Sequence, residues 1–227
     1  MTHTGDSGRS CENAMTGMSE RERWNAKFLA GEAQKTEPNQ LVVEACSQLT
    51  PGRALDLAGG AGRHAIWLAQ RGWQVTLADV ADEGLAVARR RAEAHGIALA
   101  PGGSGAQSAR SSGSITLRRE EAAETVAWAR SAHRFDLIVA VRVLLRELFD
   151  ELPGLLAPNG LLVTMTFTSE HARFASGKST RYALRPGELG AAFPALKTIL
   201  YREENGEAAL VARAESATLA SAHAGPG

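Results

Sequence analysis

An α/β domain with a mostly parallel sheet is the fold this sequence predicts, and three observations predict it. Short apolar runs of strand type alternate with amphipathic helical stretches between residues 53 and 167. That alternation gives parallel pairing and a sheet covered on both faces. The first run ends in a glycine loop that leads straight into a helix, and two late strand-like runs are joined by Asn205-Gly206, a tight-turn pair that gives an antiparallel hairpin. A chain of 227 residues buries roughly 70% of its unfolded surface. One core is therefore expected, without disulfide or metal to staple it.

The elements follow in order. Residues 1–18 are small and polar with no hydrophobic period and read as a tail before a domain spanning 19–214; the Ala/Ser-rich residues 215–227 read as a second tail. The domain opens on RERWNAKFLAGEA, where Trp24 and Phe28 stand four apart on one helical face, and Pro38-Asn39 restarts the chain into the helical LVVEACSQL. Strands are expected over 53–57, 74–79, 115–118, 135–141 and 161–167, and helices over 63–71, 82–95, 122–131 and 144–156. Residues 101–114, PGGSGAQSARSSGS, are almost all small and polar and read as a flexible insertion before the third strand. In a second reading, Ile97 to Leu99 already belong to that strand and the insertion lies inside it. LKTILYRE and EAALVARA are the arms of the C-terminal hairpin, at one edge of the sheet.

Composition excludes several functions. Lys and Arg number 25 against 25 Asp and Glu, so no overall field draws the protein onto nucleic acid or an anionic membrane. Cys11 lies in the polar tail and Cys46 in an apolar segment, which fits neither a disulfide framework nor zinc-ligand spacing; both read as reduced thiols. No run approaches the roughly 18 apolar residues of a membrane span, and MTHTGDSGRS lacks the apolar core of a signal peptide, so a soluble cytoplasmic protein is expected. No His/Cys/Asp/Glu cluster has metal-ligand spacing, and no Gly-x-Ser-x-Gly or Gly-Lys-Ser/Thr element is present.

The chemistry is expected around ALDLAGGAGRHAIWLAQRG, residues 54–72, where a strand carrying Asp56 runs through Gly59, Gly60 and Gly62 into a helix. Glycine lets a ligand approach the backbone closely, and the helix start offers unpaired N–H groups. Asp79 ends the next strand, placed to accept hydrogen bonds from a ribose diol in the crevice beyond the strand ends. Gly60-x-Gly62-x-x-Ala65 also satisfies the dinucleotide fingerprint, so a nicotinamide oxidoreductase is a rival reading. Against it, Asp56 stands where dinucleotide strands are usually apolar, and no Tyr-x-x-x-Lys pair is present. A non-catalytic scaffold that keeps the cofactor site is the third reading.

Asp56-Leu57-Ala58-Gly59-Gly60-Ala61-Gly62 followed by VTLAD resembles the first two motifs of class I S-adenosylmethionine-dependent methyltransferases. FDLIVAV, LLAPNGLLVTMTF and the Trp24 to Phe28 helix extend the resemblance to the small bacterial type grouped with tellurite-resistance and thiopurine methyltransferases, over roughly Glu20 to Arg213. The resemblance implies a single Rossmann-like, doubly wound domain with a seven-stranded sheet, S-adenosylmethionine as cofactor and a small-molecule acceptor; it defines no substrate, and a soft anion or a thiolate would need no base. It also implies that Gly59, Gly60 and Gly62 wall the cofactor, Asp56 anchors its methionine side, Asp79 binds its ribose and Val80 packs on adenine. The pattern departs at Ala58, which replaces the first glycine and is tolerated if its φ stays negative. It departs again at ITLRREEAAE, which offers Glu120, with Glu121 beside it, where an Asp meets the adenine amino group.

For the acceptor side the sequence offers less. His171 is the one histidine near a strand end on the right side, a candidate base, and Arg142 sits at the end of the fourth strand. Arg146, Arg173, Arg181 and Arg185 lie near enough in sequence to join Arg142 around an anionic acceptor. VRVLLREL lacks the Asn/Asp-Pro-Pro-aromatic element of adenine and glutamine-amide methylases. His64 reads as local structure, and Trp24 with Phe28 as either a lid or simple packing.

Overall fold

The computed structural model describes residues 18–32, 35–100, 113–132, 134–174 and 179–216, so the expected tails and nearly all of 101–114 lie outside the described residues. Helix α1, Glu20–Leu29, begins at a capping box: the Ser19 hydroxyl accepts from the Glu22 N–H while the Glu22 carboxylate accepts from the Ser19 N–H. Helix α2, Gln40–Cys46, begins where the Asn39 side chain accepts from the Leu41 N–H. There follow β1 (Arg53–Leu57), α3 (Arg63–Ala69), β2 (Gln74–Asp79), α4 (Asp82–Ala94), β3 (Ala98–Leu99), β4 (Ser114–Arg119), α5 (Ala122–Ala132), β5 (Phe135–Val141), β6 (Leu156–Phe167), α6 (Glu188–Ala191), β7 (Lys197–Glu204) and β8 (Glu207–Arg213).

These strands form one sheet in the order β3-β4-β2-β1-β5-β6-β8-β7. The first six in that order pair in parallel, and β8 runs antiparallel to both β6 and β7. The sheet thus has the mixed form and C-terminal hairpin the sequence predicts, with eight strands instead of seven. The additional one is β3, whose Ala98 and Leu99 pair in parallel with Ser114 and Ile115. It is a neighbour of β4 and not its first half, and two residues are too few to show a period-two pattern. Ser114, placed in the insertion by composition, already belongs to β4.

A second difference lies over 144–156, expected as a helix. Two 3-10 turns, Arg146–Leu148 and Leu152–Leu155, occupy it instead. Leu145, Leu148, Leu152 and Leu155 are all buried, so the three-and-four spacing was read correctly. Pro153 has no N–H for an α-helical bond and its ring opposes the preceding turn, which leaves only the tighter, shorter turns. Strand β6 also starts earlier than its apolar run, bulging through Pro158, Asn159 at φ 65° and Gly160 before its regular register with β5.

Side chains alternate across the sheet into two buried layers. Leu41, Leu68, Trp73, Leu77, Ile115, Val139 and Val163 pack on one face with α2, α3 and α4. Leu55, Leu57, Val126, Phe135, Ile138, Leu162 and Phe193 pack on the other with α5 and the 3-10 turns. Each fully buried side chain of this size contributes about 1.5–3 kcal/mol. Cys46 belongs to the first layer, and burial pushes its thiol up to about 12, so it stays protonated and inert. Among the described residues no helix is long and apolar enough to cross a membrane.

The order of strands places the crevice. From β1 the chain continues to β2 on one side, whereas β5 lies on β1's other side. The loops leaving the C-terminal ends of β1 and β5 diverge there, and such a switch point is where open α/β sheets bind ligands.

Candidate active site

The loop after β1 makes its turn in five residues, Ala58 to Gly62. Gly60 has φ 56° and Gly62, the N-cap of α3, has φ 74°. Ala58 has φ 52°, against the negative value expected of it. The loop is held at several points: the Gly59 N–H donates to the Ala78 carbonyl (3.3 Å), the Gly62 N–H to the Gly59 carbonyl (3.0 Å), and the Gly60 N–H to Asp79 Oδ2 (2.8 Å). These bonds impose a left-handed conformation on Ala58 that costs an alanine about 1–2 kcal/mol.

Beneath the loop lies Asp56, 1% exposed. A methyl group placed on Gly59 would fall 2.6 Å from its Oδ2, so the carboxylate lies directly under that glycine. Neither Asp56 oxygen has a hydrogen-bond partner. His64 Nδ1 is 3.6 Å from Oδ1, too far for a hydrogen bond, and His64 Nε2 is likewise unpartnered and buried. Among the described residues no donor meets this buried carboxylate, which leaves its hydrogen-bonding capacity open. Sequence reasoning took His64 as local structure; its place one residue inside α3, facing back under the loop, was the signal available.

Asp79, at the end of β2, behaves differently. Its Oδ1 accepts from the Ala81 N–H (2.8 Å) and its Oδ2 from the Gly60 N–H, so the carboxylate ties the β1 loop to the start of α4. Burial raises its pKa above the usual carboxylate range, the two N–H groups oppose that, and the nearby charge of Asp56 adds to it. Val80 follows, half-buried. Glu120, just past β4, donates its N–H to the Asp79 carbonyl (3.2 Å), while its carboxylate is gripped by the Arg118 guanidinium.

Helix α1 lies across this group. Arg21 pairs with Asp82 (2.5 Å), and Asn25 Oδ1 accepts from the Glu83 N–H (3.0 Å), capping α4 where Ala81 offers no side-chain oxygen. Phe28 is buried, and methyl groups on Gly60 and Gly84 would lie 3.0 and 2.7 Å from its ring. Of the two readings of the aromatic pair, the structure shows packing, and what Phe28 packs against is the glycine loop. Trp24 stands beside it, ring centroids 6.3 Å apart.

Across the switch point stands Arg142, one residue beyond β5. It too is left-handed, at φ 65°, with its N–H donating to the Met165 carbonyl (2.6 Å). Its guanidinium lies 4.7 Å from the centroid of the Phe167 ring and pairs with Glu207 (2.8 Å). Arg173 lies 4.4 Å from the same ring, and the His171 ring 4.4 Å from it as well. His171 Nδ1 accepts from the Arg173 N–H (3.0 Å). The other expected arginines go elsewhere: Arg146 and Arg185 converge on Glu188, and Arg181 stacks on Tyr182. The structure thus gathers Asp56, Ala58, Gly59, Gly60, Gly62, Asp79 and Val80 on one side and Arg142 with His171 on the other.

Comparison with known proteins gives a family and a fold. A family model described as methyltransferase domain matches residues 30–203. No curated protein matches the chain. Among solved structures it is similar to TehB from Haemophilus influenzae, at 16% identity and a TM-score of 0.62 over 83% of this chain and 66% of that one. It is also similar to N-methyltransferase NodS from Bradyrhizobium japonicum WM9 in complex with S-adenosyl-L-homocysteine, at 17% and 0.59 over 87% and 98%. The [4+2]-cyclase SpnF is similar at 16% and 0.60 over 86% and 96%. Likeness at these identities shows the fold.

Proposed function

Because the chain belongs to the methyltransferase domain family, we propose that it takes a methyl group from S-adenosylmethionine and delivers it to a small-molecule acceptor in the cytoplasm. The observation that carries this reading is Asp56, a buried carboxylate with two free oxygens under a glycine loop, one strand away from the Asp79 carboxylate. The donor fits those residues. Its ammonium group supplies the hydrogen bonds Asp56 lacks, and its ribose diol meets Asp79, where two backbone N–H groups use only part of a carboxylate's roughly four acceptor positions. Val80 packs on the adenine, Glu120 takes the adenine amino group, and the backbone of Ala58, Gly59, Gly60 and Gly62 forms the wall.

S-adenosylmethionine supplies an electrophilic methyl group on a sulfonium. The chain's own residues have to hold the acceptor in line and keep water out, and positioning of this kind accounts for much of such a rate enhancement. Phe28 and α1 close one side. Arg142 holds the acceptor on the other. His171 takes a donor role in this arrangement: its Nδ1 lone pair is used by the Arg173 N–H, which leaves the proton of the neutral ring on Nε2.

Calorimetric titration with S-adenosylmethionine, S-adenosylhomocysteine, NADH and NADPH tests the reading. The first two are expected to bind at micromolar concentration and the nicotinamides not at all. Binding of a nicotinamide nucleotide alone would replace this function with hydride transfer.

A further inference from the structure

Two guanidinium groups share one ring beside the switch point, and a third lies within electrostatic reach of one of them. Arg142 and Arg173 lie against one phenyl ring, that of Phe167, which is 7% exposed and serves as a fixed floor. Arg63, in the first turn of α3, is close enough for the Arg142 charge, after burial, to hold its pKa below the ordinary arginine value, while Asp56 opposes that effect. Arg142 thus shares the Phe167 ring with Arg173 and stands within reach of the Arg63 charge at the glycine loop.

Carboxylates only partly balance them. Glu207 pairs with Arg142, and Asp56 lies near Arg63 and is the group left for the donor's ammonium. Among the described residues neither Arg63 nor Arg173 has an ion-pair partner, and Glu170, exposed on the same loop, pairs with neither. Positive charge is left in excess there. A guanidinium stacked on a ring still presents its N–H edge, and that edge matches a planar carboxylate. Backbone strain at Arg142 fits the same purpose: a left-handed φ on a non-glycine residue persists only where surrounding contacts hold it, and here it turns the side chain onto Phe167.

We infer that Arg142 and Arg173, stacked on Phe167, form the acceptor site and take a small molecule by its carboxylate. The inference deepens the proposed function and rests on it only for the word acceptor; the anion site stands on its own geometry.

The test titrates benzoate, its neutral analogue benzamide and inorganic phosphate into the protein, with and without S-adenosylhomocysteine, followed by ligand-observed NMR. Benzoate is expected to bind, benzamide not, and phosphate more weakly than benzoate. Arg142→Gln and Arg173→Gln should each weaken benzoate about tenfold, the loss of one charge-assisted hydrogen bond. Arg173→Gln, on an exposed turn, carries the test should Arg142→Gln fail to fold. Equal binding of benzoate and benzamide, tighter binding of phosphate, or indifference of benzoate to Arg173→Gln overturns the inference. A protein that binds benzoate but not S-adenosylhomocysteine keeps the anion site and loses the proposed donor; the converse result keeps the donor and loses the site.

Discussion

Asp79 holds two backbone N–H groups, and the proposed function gives it the ribose as well, so its replacement has two separable effects. Asp79→Ala should weaken S-adenosylhomocysteine binding by about 1–3 kcal/mol, measured by calorimetry, through the lost charge-assisted bonds. It should also lower the unfolding free energy by about 1–3 kcal/mol per orphaned N–H, because the Gly60 and Ala81 donors are left inside without an acceptor. Unchanged ligand affinity would remove Asp79 from the site even if stability fell. The position of Asp79 was legible from its spacing to the glycines. Its tie to Gly60 was not, since the same acid at a strand end serves a ligand or a loop equally well. Ala58 marks another limit: an alanine in a glycine's place looks like a sign of negative φ, and only the bonds made by Gly59, Gly60 and Gly62 reveal that the loop overrides the residue. The unpartnered Asp56 could not be read at all, because burial and hydrogen bonding are properties of the assembled loop.

At the scale of elements, Arg146 and Glu188 join the turn after β5 to α6. Nε and Nη2 of Arg146 donate to the two Glu188 oxygens, Nη2 also donates to the Ala183 carbonyl, and the Arg185 N–H adds another bond to Glu188. Together they hold the Glu188 pKa down at about 2, from an ordinary 4.5, with the Arg146 hydrogen bonds the largest cause. A carboxylate whose folded pKa is depressed stabilises the fold fully above the unfolded value, and that contribution is lost as pH falls toward the folded one. The difference in urea midpoint between the parent chain and Glu188→Gln should therefore be largest above about 4.5 and shrink as pH falls toward about 2. A difference independent of pH would mean that the pair contributes nothing through charge. Elements with continuous apolar runs bounded by glycine or acid, β1, β2 and β5, were readable to the residue. The stretch over 144–156 was not, because 3-10 turns bury residues at spacings close enough to a helix's that only Pro153 tells them apart.

For the whole molecule, ligand binding should appear as stability. Glycine loop, Asp79, α4 and α1 are already linked to one another by hydrogen bonds and by Phe28, so a ligand seated among them stabilises the domain as a unit. S-adenosylhomocysteine at a hundred times its dissociation constant should add about 2.7 kcal/mol. For a domain of this size that raises the melting temperature by roughly 5–10 °C, readable by differential scanning fluorimetry. A melting temperature that does not move at saturation would contradict the proposed donor.

The position of β8 carries a consequence for biosynthesis. It is the last strand in the described chain, yet it lies inside the sheet, between β6 and β7, and it supplies Glu207 to Arg142. The glycine loop and Asp79 are synthesised early and can assemble with β1, β2 and β4 while the rest is still on the ribosome. Until residues 207–213 emerge, β6 has an open apolar edge with Val163 and Met165 along it, the kind of edge that templates aggregation. A nascent chain stopped short of Glu207 thus has the glycine loop made but β6 uncovered and Arg142 without its carboxylate partner, and it is most vulnerable to misassembly at that moment.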